Sequence, residues 1–152
     1  MKRIYLDNNS STGMAPEVLE AMQEALTLIP MNASASHTFG REAKQRVLHA
    51  RETISSYFHI KPQEIIFTSG GTEAINLILR GFYALHKGCE ILTSNLEHPA
   101  VSNTLKALER EGAQIQWLPA GLHGAIQVDQ IESALTERTR LIVLMSVNNI
   151  TG

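Results

Sequence analysis

From residue 64 onward, short β-like segments alternate with helix-like segments, and this alternation constrains the fold more than any other feature of the 152-residue chain. Apolar runs indicate strands, whereas apolar residues spaced three or four apart indicate helices. The alternation is typical of right-handed βαβ units, which build a largely parallel sheet with helices on its faces. We therefore predict an α/β fold.

The individual elements follow from the same patterns and from the positions of proline and glycine. The predicted strands are 65–67, 91–93, 115–117 and 141–147, the last being the most strongly β-like run. The predicted helices are 16–29, 41–58, 74–85, 99–111 and 129–136, the last one capped by Asp129. The first sixty residues are mostly helical and are expected to pack outside the sheet.

Composition excludes several classes of protein. The chain is 43% hydrophobic and 18% charged, with a net charge of −2, which provides no basic surface for a nucleic-acid or membrane partner. Cys89 is the only cysteine, so no internal disulfide can form, which suits a reducing compartment. No apolar run approaches the ~18 residues of a membrane span. We expect a soluble, cytoplasmic protein in which Cys89 is structural.

Polar clusters follow three of the predicted strands, where ligands of parallel sheets bind. They are 69–73, Glu97–His98 and 148–149. Gly70 and Gly71 would let the backbone approach a ligand, and the helix start offers free N–H groups and partial positive charge. Thr72 adds a hydroxyl donor, so the turn suits a phosphate. The alternative is a tight βα turn that binds nothing.

The other polar residues each have a functional and a plain interpretation. His98 can stack on an aromatic ligand or move a proton, or it can be an ordinary exposed or packed histidine. Asn149 can bind a ligand or cap a loop, and Asn8 and Asn9 can be turn formers. His37 is expected to be a solvated loop residue. The spacing of histidines and cysteine predicts no metal site.

Five segments together resemble motifs of the cysteine desulfurases, which belong to the class V aminotransferase group. They are YLDNNSST at 5–12, SASHTFGREA at 34–43, EIIFTSGGTEAINL at 64–77, ILTSNLEHPAV at 91–101 and VNNITG at 147–152. The motifs occur in the family's order and extend over the whole chain. Ser146 and Ile150 depart from the residues that are usual beside the last motif.

The resemblance implies a three-layer, aminotransferase-like large domain and the cofactor pyridoxal 5′-phosphate (PLP). By position, Gly71 and Thr72 would hold its phosphate, His98 would stack on its ring and act in acid–base catalysis, and Asn149 would bind its 3-hydroxyl. Asn8 and Asn9 would lie near the substrate. The family converts L-cysteine to L-alanine and passes the sulfur, as an enzyme persulfide, to an acceptor protein for iron–sulfur cluster assembly or thiolation. Its members are homodimers.

The resemblance also implies an incomplete domain. We expect 1–15 to be a segment near the active site and 16–152 to be the front part of the large domain, which stops after a central strand. The family's Schiff-base lysine and sulfur-accepting cysteine have no counterpart here, so we expect the chain to be inactive alone and to self-associate. The alternatives are a selenocysteine lyase or another class V enzyme, a non-catalytic remnant, half of a split protein, and a plain phosphate-binding module.

Overall fold

The computed structural model describes residues 3–8, 11–28, 31–121 and 124–150, and within them it has five α-helices, three strands and a short 3-10 helix at Pro62–Glu64. The chain forms two units, Met1–Phe67 and Thr68–Gly152. The helices are α1 (Pro16–Thr27), α2 (Thr38–Phe58), α3 (Gly71–Leu85), α4 (Pro99–Arg110) and α5 (Val128–Ala134). The strands are β1 (Glu90–Ser94), β2 (Gln114–Leu118) and β3 (Thr139–Val143). No helix in the described ranges is long and apolar enough to cross a membrane.

The first unit holds α1 and α2, and α2 begins three residues earlier than predicted. The cause is His37, whose Nδ1 accepts a hydrogen bond from the Gly40 N–H at 3.4 Å and so caps the helix. His37 is exposed and lies just before the helix, as predicted for a solvated loop residue, and its capping role is an addition to that prediction. Gly40 is buried, and a Cβ there would lie 2.2 Å from the Ala35 carbonyl oxygen. The turn into α2 therefore requires glycine at this position.

The predicted strand 65–67 does not form. No strand among the described residues pairs with this segment, and a strand needs a partner for its backbone groups. The Arg51 guanidinium donates a hydrogen bond to the Ile65 carbonyl instead and lies 4.8 Å from the centre of the Phe67 ring. Ile66 remains 67% exposed. The apolar sequence of 65–67 predicted that this segment would be buried, and the exposure of Ile66 shows that it is not covered in the described structure.

The second unit contains a three-stranded sheet in the order β2-β1-β3, and both neighbours pair with β1 in parallel. This confirms the predicted α/β fold with a parallel sheet. The predicted strand 141–147 is shorter, because pairing of β3 with β1 ends at Val143, opposite Thr93. β3 lies at an edge of the described sheet, and the expectation that the chain stops after a central strand of a larger sheet stays a prediction.

Two hydrophobic clusters cover the two faces of this sheet. Ile91 belongs to the cluster formed with α3 and α4, whereas its neighbour Leu92 belongs to the cluster formed with α5. This is the period-two alternation expected of a strand buried on both faces. The buried members of the first cluster are Leu79, Tyr83, Cys89, Ile91, Val101, Leu105, Leu108 and Ala113. Each large aliphatic side chain buried there contributes about 1.5–3 kcal/mol relative to leaving it exposed.

The helices that follow the strands begin for identifiable reasons. α4 begins at Pro99 as predicted, because proline suits the first helical position. α5 begins at Val128, so the prediction that Asp129 caps it was wrong. The cap position is Gln127, whose N–H donates to Gln130 Oε1 at 2.9 Å. Asp129 lies inside the first turn, where its negative charge interacts favourably with the helix dipole.

Candidate functional site

The start of α3 presents backbone donors without acceptors. The first hydrogen bond into the helix runs from the Ala74 N–H to the Gly70 carbonyl at 3.1 Å. The N–H groups of Gly71, Thr72 and Glu73 precede it and meet no acceptor within the described chain. These groups carry the partial positive charge of a helix N-terminus. They are suited to an anion.

The two glycines at this turn leave open space. A Cβ at either Gly70 or Gly71 would meet no atom of the described structure within 4 Å. Gly70 has an extended backbone, with φ of 163°, so its conformation does not demand glycine. Neither packing nor conformation within this part of the chain explains the pair. The open surface above the first turn is instead accessible to an external group.

Glu73 folds back over the beginning of the turn. Its Oε2 accepts hydrogen bonds from the Ser69 hydroxyl and from the Ser69 N–H, each at 2.6 Å. These bonds, the hydroxyl first and the backbone second, lower the pKa of Glu73 below its ordinary value. The carboxylate is thus kept ionised and held on the side of Ser69, which orders the segment leading into α3.

His98 occupies the cap position of α4. Its Nδ1 accepts a hydrogen bond from the Ala100 N–H at 3.1 Å, which fixes the ring at the start of the helix. When Nδ1 accepts, the neutral ring carries its proton on Nε2. The ring is exposed beyond this contact. Sequence reasoning missed the cap, although the residue before a proline at the first helical position is a cap by definition.

Thr72 and His98 line the same cleft, between the first turns of α3 and α4. The cleft has a volume of about 380 Å³. Its lining residues are Thr72, Asn76, Arg80, His98, Pro99, Ala100, Asn103 and Thr104. Asn76 Nδ2 donates to the Thr72 carbonyl at 3.0 Å and so joins the cleft wall to the glycine turn. Two of the predicted site residues are therefore brought together.

Asn149 is not among the residues that line this cleft. It is an exposed turn residue six positions beyond the end of β3. Its neighbour Asn148 donates from Nδ2 to the Leu96 carbonyl at 3.1 Å, which places this turn beside the segment that leads to His98. The predicted contact of Asn149 with a ligand stays a prediction.

Asn8 belongs to the first unit, and Asn9 lies outside the described residues. Asn8 is an exposed turn residue whose carbonyl accepts a hydrogen bond from the Thr12 hydroxyl at 3.3 Å. That contact accounts for Asn8 as a turn former. The expectation that both asparagines lie near a substrate stays a prediction, as does the role of 1–15.

Glu97 has a role that sequence reasoning did not assign. Its side chain is buried, with the residue only 9% exposed. Its Oε1 accepts hydrogen bonds from the Ser94 hydroxyl at 2.6 Å and from the Met145 N–H at 3.0 Å. A glutamate beside a histidine in a polar loop gives no sequence signal for burial, because glutamate is usually exposed.

Metal ligation finds no support in the described ranges, which contain no group of three or more histidine, cysteine or acidic residues able to hold an ion. Cys89 is buried in the cluster beneath α3 and α4, where it packs as a small apolar residue.

Comparison with known proteins identifies the family. A family profile described as Aminotransferase class-V matches residues 4–152. The chain belongs to this family. A cysteine desulfurase from Trichormus azollae is 40% identical over 153 residues, covering 100% of this chain and 38% of that relative. Cysteine desulfurase IscS from Ectopseudomonas mendocina (strain ymp) is 42% identical over 156 residues, which cover 98% of this chain and 38% of that relative.

Solved structures agree with this class V assignment. A NifS-like protein matches with a TM-score of 0.89 at 33% identity, over 97% of this chain and 41% of that one. A structure described as SspA in complex with cysteine matches with a TM-score of 0.83 at 35% identity, over 95% of this chain and 42% of that one. The resemblance to the desulfurases and the α/β fold are both confirmed. The chain spans 38% of the length of the curated relatives described above.

The class V aminotransferase and cysteine desulfurase families use PLP. The unpaired N–H groups at the start of α3 fit a phosphate ester, and the open space over Gly70 and Gly71 leaves room for it. His98 provides a flat ring of fixed orientation in the same cleft. The residues present therefore fit the phosphate and one face of an aromatic ring.

Proposed function

We propose that this chain forms the phosphate- and ring-binding part of a PLP-dependent cysteine desulfurase, which takes sulfur from L-cysteine and leaves L-alanine. The observation that carries the proposal is the single cleft that joins Thr72, at the start of α3, to His98, at the start of α4. The names of the relatives, and the solved SspA complex with cysteine, support the choice of substrate.

Phosphate binding is assigned to the first turn of α3. The N–H groups of Gly71, Thr72 and Glu73 point toward the open end of the helix, and the Thr72 hydroxyl adds a further donor. Helix-terminal N–H groups bind a phosphate dianion through both hydrogen bonds and the helix dipole. Holding Glu73 back on Ser69 keeps its carboxylate hydrogen-bonded and reduces its repulsion of that anion.

The ring and its chemistry are assigned to His98 and Asn149. When bound, PLP supplies an electron sink for charge that develops on the amino-acid substrate. The capped imidazole of His98 provides the stacking face, and its Nε2 is the atom that holds or moves a proton. The Asn149 amide donates to the 3-hydroxyl in this proposal. Asn8 and Asn9 are assigned to the substrate end of the site.

The wider biology follows from the proposed activity. We assign a sulfur-acceptor protein as the partner, iron–sulfur cluster assembly or thiolation as the use of the sulfur, and the cytoplasm as the location. We also assign a homodimer to the intact protein. The IscS names of several relatives favour the iron–sulfur role over the others.

The proposal is tested by equilibrium dialysis of the 152-residue chain against PLP and against pyridoxal, which lacks the phosphate. PLP should bind more tightly than pyridoxal, and Thr72→Ala should weaken PLP binding roughly tenfold by removing a donor to a charged group. Thr53→Ala is the matched control, because Thr53 is an exposed helical threonine of the first unit. Equal affinities for PLP and pyridoxal in the wild-type chain would refute the phosphate site.

A further inference from the structure

We infer that Glu97 is a positioning residue that holds the His98 segment and the Asn149 segment at a fixed separation. This inference rests on the proposed function, since its consequence is the grip of the site on the cofactor ring. It concerns a side chain that lies between the two segments rather than in the cleft itself.

Sheet hydrogen bonding stops before either ring-binding residue is reached. The last paired residues of β1 and β3 are Thr93 and Val143, and the Thr93 hydroxyl also donates to the Val143 carbonyl at 3.0 Å. His98 lies five residues beyond this point on one strand's extension, and Asn149 lies six residues beyond it on the other. The ladder therefore cannot set the distance between them.

Glu97 connects the two extensions directly. The carboxylate oxygen Oε1 receives the Ser94 hydroxyl from its own segment and the Met145 N–H from the segment that leads to Asn149. Ser94 Oγ in turn accepts the Leu96 N–H at 3.2 Å, which closes a small network around the turn. Hydrogen bonds to a charged acceptor are stronger than neutral ones, and a buried one is shielded from water.

A second, weaker tie runs parallel to the first. Asn148 Nδ2 donates to the Leu96 carbonyl at 3.1 Å, again from the β3 extension to the β1 extension. Both ties meet the β1 extension at the two residues immediately before His98. The burial of Glu97 contrasts with the exposure of His98 and Asn149, so the fixed element is the carboxylate and the two proposed ring contacts project from it.

The glycine turn at the start of α3 is independent of this network. No hydrogen bond of Glu97 reaches the residues from Ser69 to Glu73 in the described structure. Loss of the Glu97 carboxylate should therefore weaken contacts to the ring and leave phosphate binding unchanged. A loss of ring binding without a loss of phosphate binding distinguishes a positioning role from a general loss of stability.

The test compares Glu97→Ala with Glu97→Gln in the 152-residue chain, with PLP and inorganic phosphate as the two probes. Glu97→Ala should weaken PLP binding roughly tenfold and change phosphate binding by less than about twofold. Glu97→Gln keeps an acceptor oxygen for Ser94 and Met145 and should recover PLP affinity to within about threefold of wild type. In the Glu97→Ala background, His98→Ala should cost less than it does in the wild-type chain.

Hydrogen exchange of the ligand-free chain provides a second, independent measurement. Hydrogen exchange of the Met145 amide should accelerate about tenfold or more in Glu97→Ala and stay near the wild-type rate in Glu97→Gln. Unchanged Met145 exchange, or PLP affinity equal to wild type in Glu97→Ala, would overturn the inference. Absence of PLP binding by the wild-type chain would instead overturn the proposed function. If Glu97→Ala does not fold, Glu97→Asp, which keeps the charge but shortens the reach, is measured in its place.

Discussion

The two units of the chain contrast in how they use their apolar residues. In the second unit Leu105 of α4 is 0% exposed, whereas in the first unit Leu26 of α1 is 81% exposed. Both helices have apolar residues at helical spacing. The sequence pattern is the same in kind, but among the described residues only the second unit contains a sheet against which its helices pack.

This contrast shows that an amphipathic pattern predicts a helix but not the surface that covers it. α1 has no buried residue, and α2 buries only Gly40 and Ser55. Exposed apolar side chains in these helices include Val18, Leu19, Met22, Leu26, Phe39, Val47, Tyr57 and Phe58. Stability in the second unit should therefore depend on its core, and stability in the first unit on caps and turns.

The largest effect is expected from a core truncation in the second unit. Leu105→Ala removes a fully buried side chain between α4 and the sheet and should lower the free energy of unfolding by about 2–5 kcal/mol. Leu26→Ala is the matched control, expected to change it by less than about 0.5 kcal/mol. Urea unfolding followed by circular dichroism measures both. Similar losses for the two variants would break the contrast between the units.

An intermediate effect is expected at the one close backbone approach described in the first unit. Gly40→Ala would place a Cβ 2.2 Å from the Ala35 carbonyl oxygen, and should destabilise the start of α2 by about 1–3 kcal/mol. Hydrogen exchange of the first α2 amides reports this loss. Gly81→Ala in α3 is the control, since its Cβ meets no described atom within 4 Å and alanine favours a helix by about 0.5–1 kcal/mol. Stabilisation by both substitutions would show that the Gly40 turn adapts freely.

The smallest effect concerns pH and the Ser69–Glu73 turn of the second unit. Because the folded pKa of Glu73 is lowered, its hydrogen bonds contribute above the ordinary carboxyl pKa of about 4.5 and are lost as pH falls through the lower folded value. NMR titration of the Glu73 carboxyl and the Ser69 amide should show both changing together below pH 4.5. Ser69→Ala removes the hydroxyl donor and should raise the Glu73 pKa toward its ordinary value. A wild-type Glu73 that titrates at its ordinary value would contradict the assigned hydrogen bonds.

The parts of the fold that could be predicted are those for which local pattern and burial agree. β1 and β2 have apolar residues at strand spacing, and α4 begins at Pro99 as expected. Thr72 and His98 line one cleft, as the sequence led us to expect, although only His98 follows a strand of the described sheet.

The remaining features depend on residues distant in sequence. The apolar segment at 65–67 has the composition of a strand, but a strand forms only where a second strand pairs with it. Here the Arg51 guanidinium donates to the Ile65 carbonyl instead. β3 ends at Val143, where its pairing with β1 stops opposite Thr93. The buried position of Glu97 depends on the Met145 N–H, 48 residues away. Composition and periodicity do not contain this information.

The alternation of Ile91 and Leu92 along β1 has a thermodynamic consequence. Adjacent residues of β1 belong to the two different hydrophobic clusters, so β1 is part of both. Neither cluster can therefore unfold while the other keeps its contacts with β1. Calorimetry of this unit should therefore record a single endotherm whose van't Hoff and calorimetric enthalpies agree.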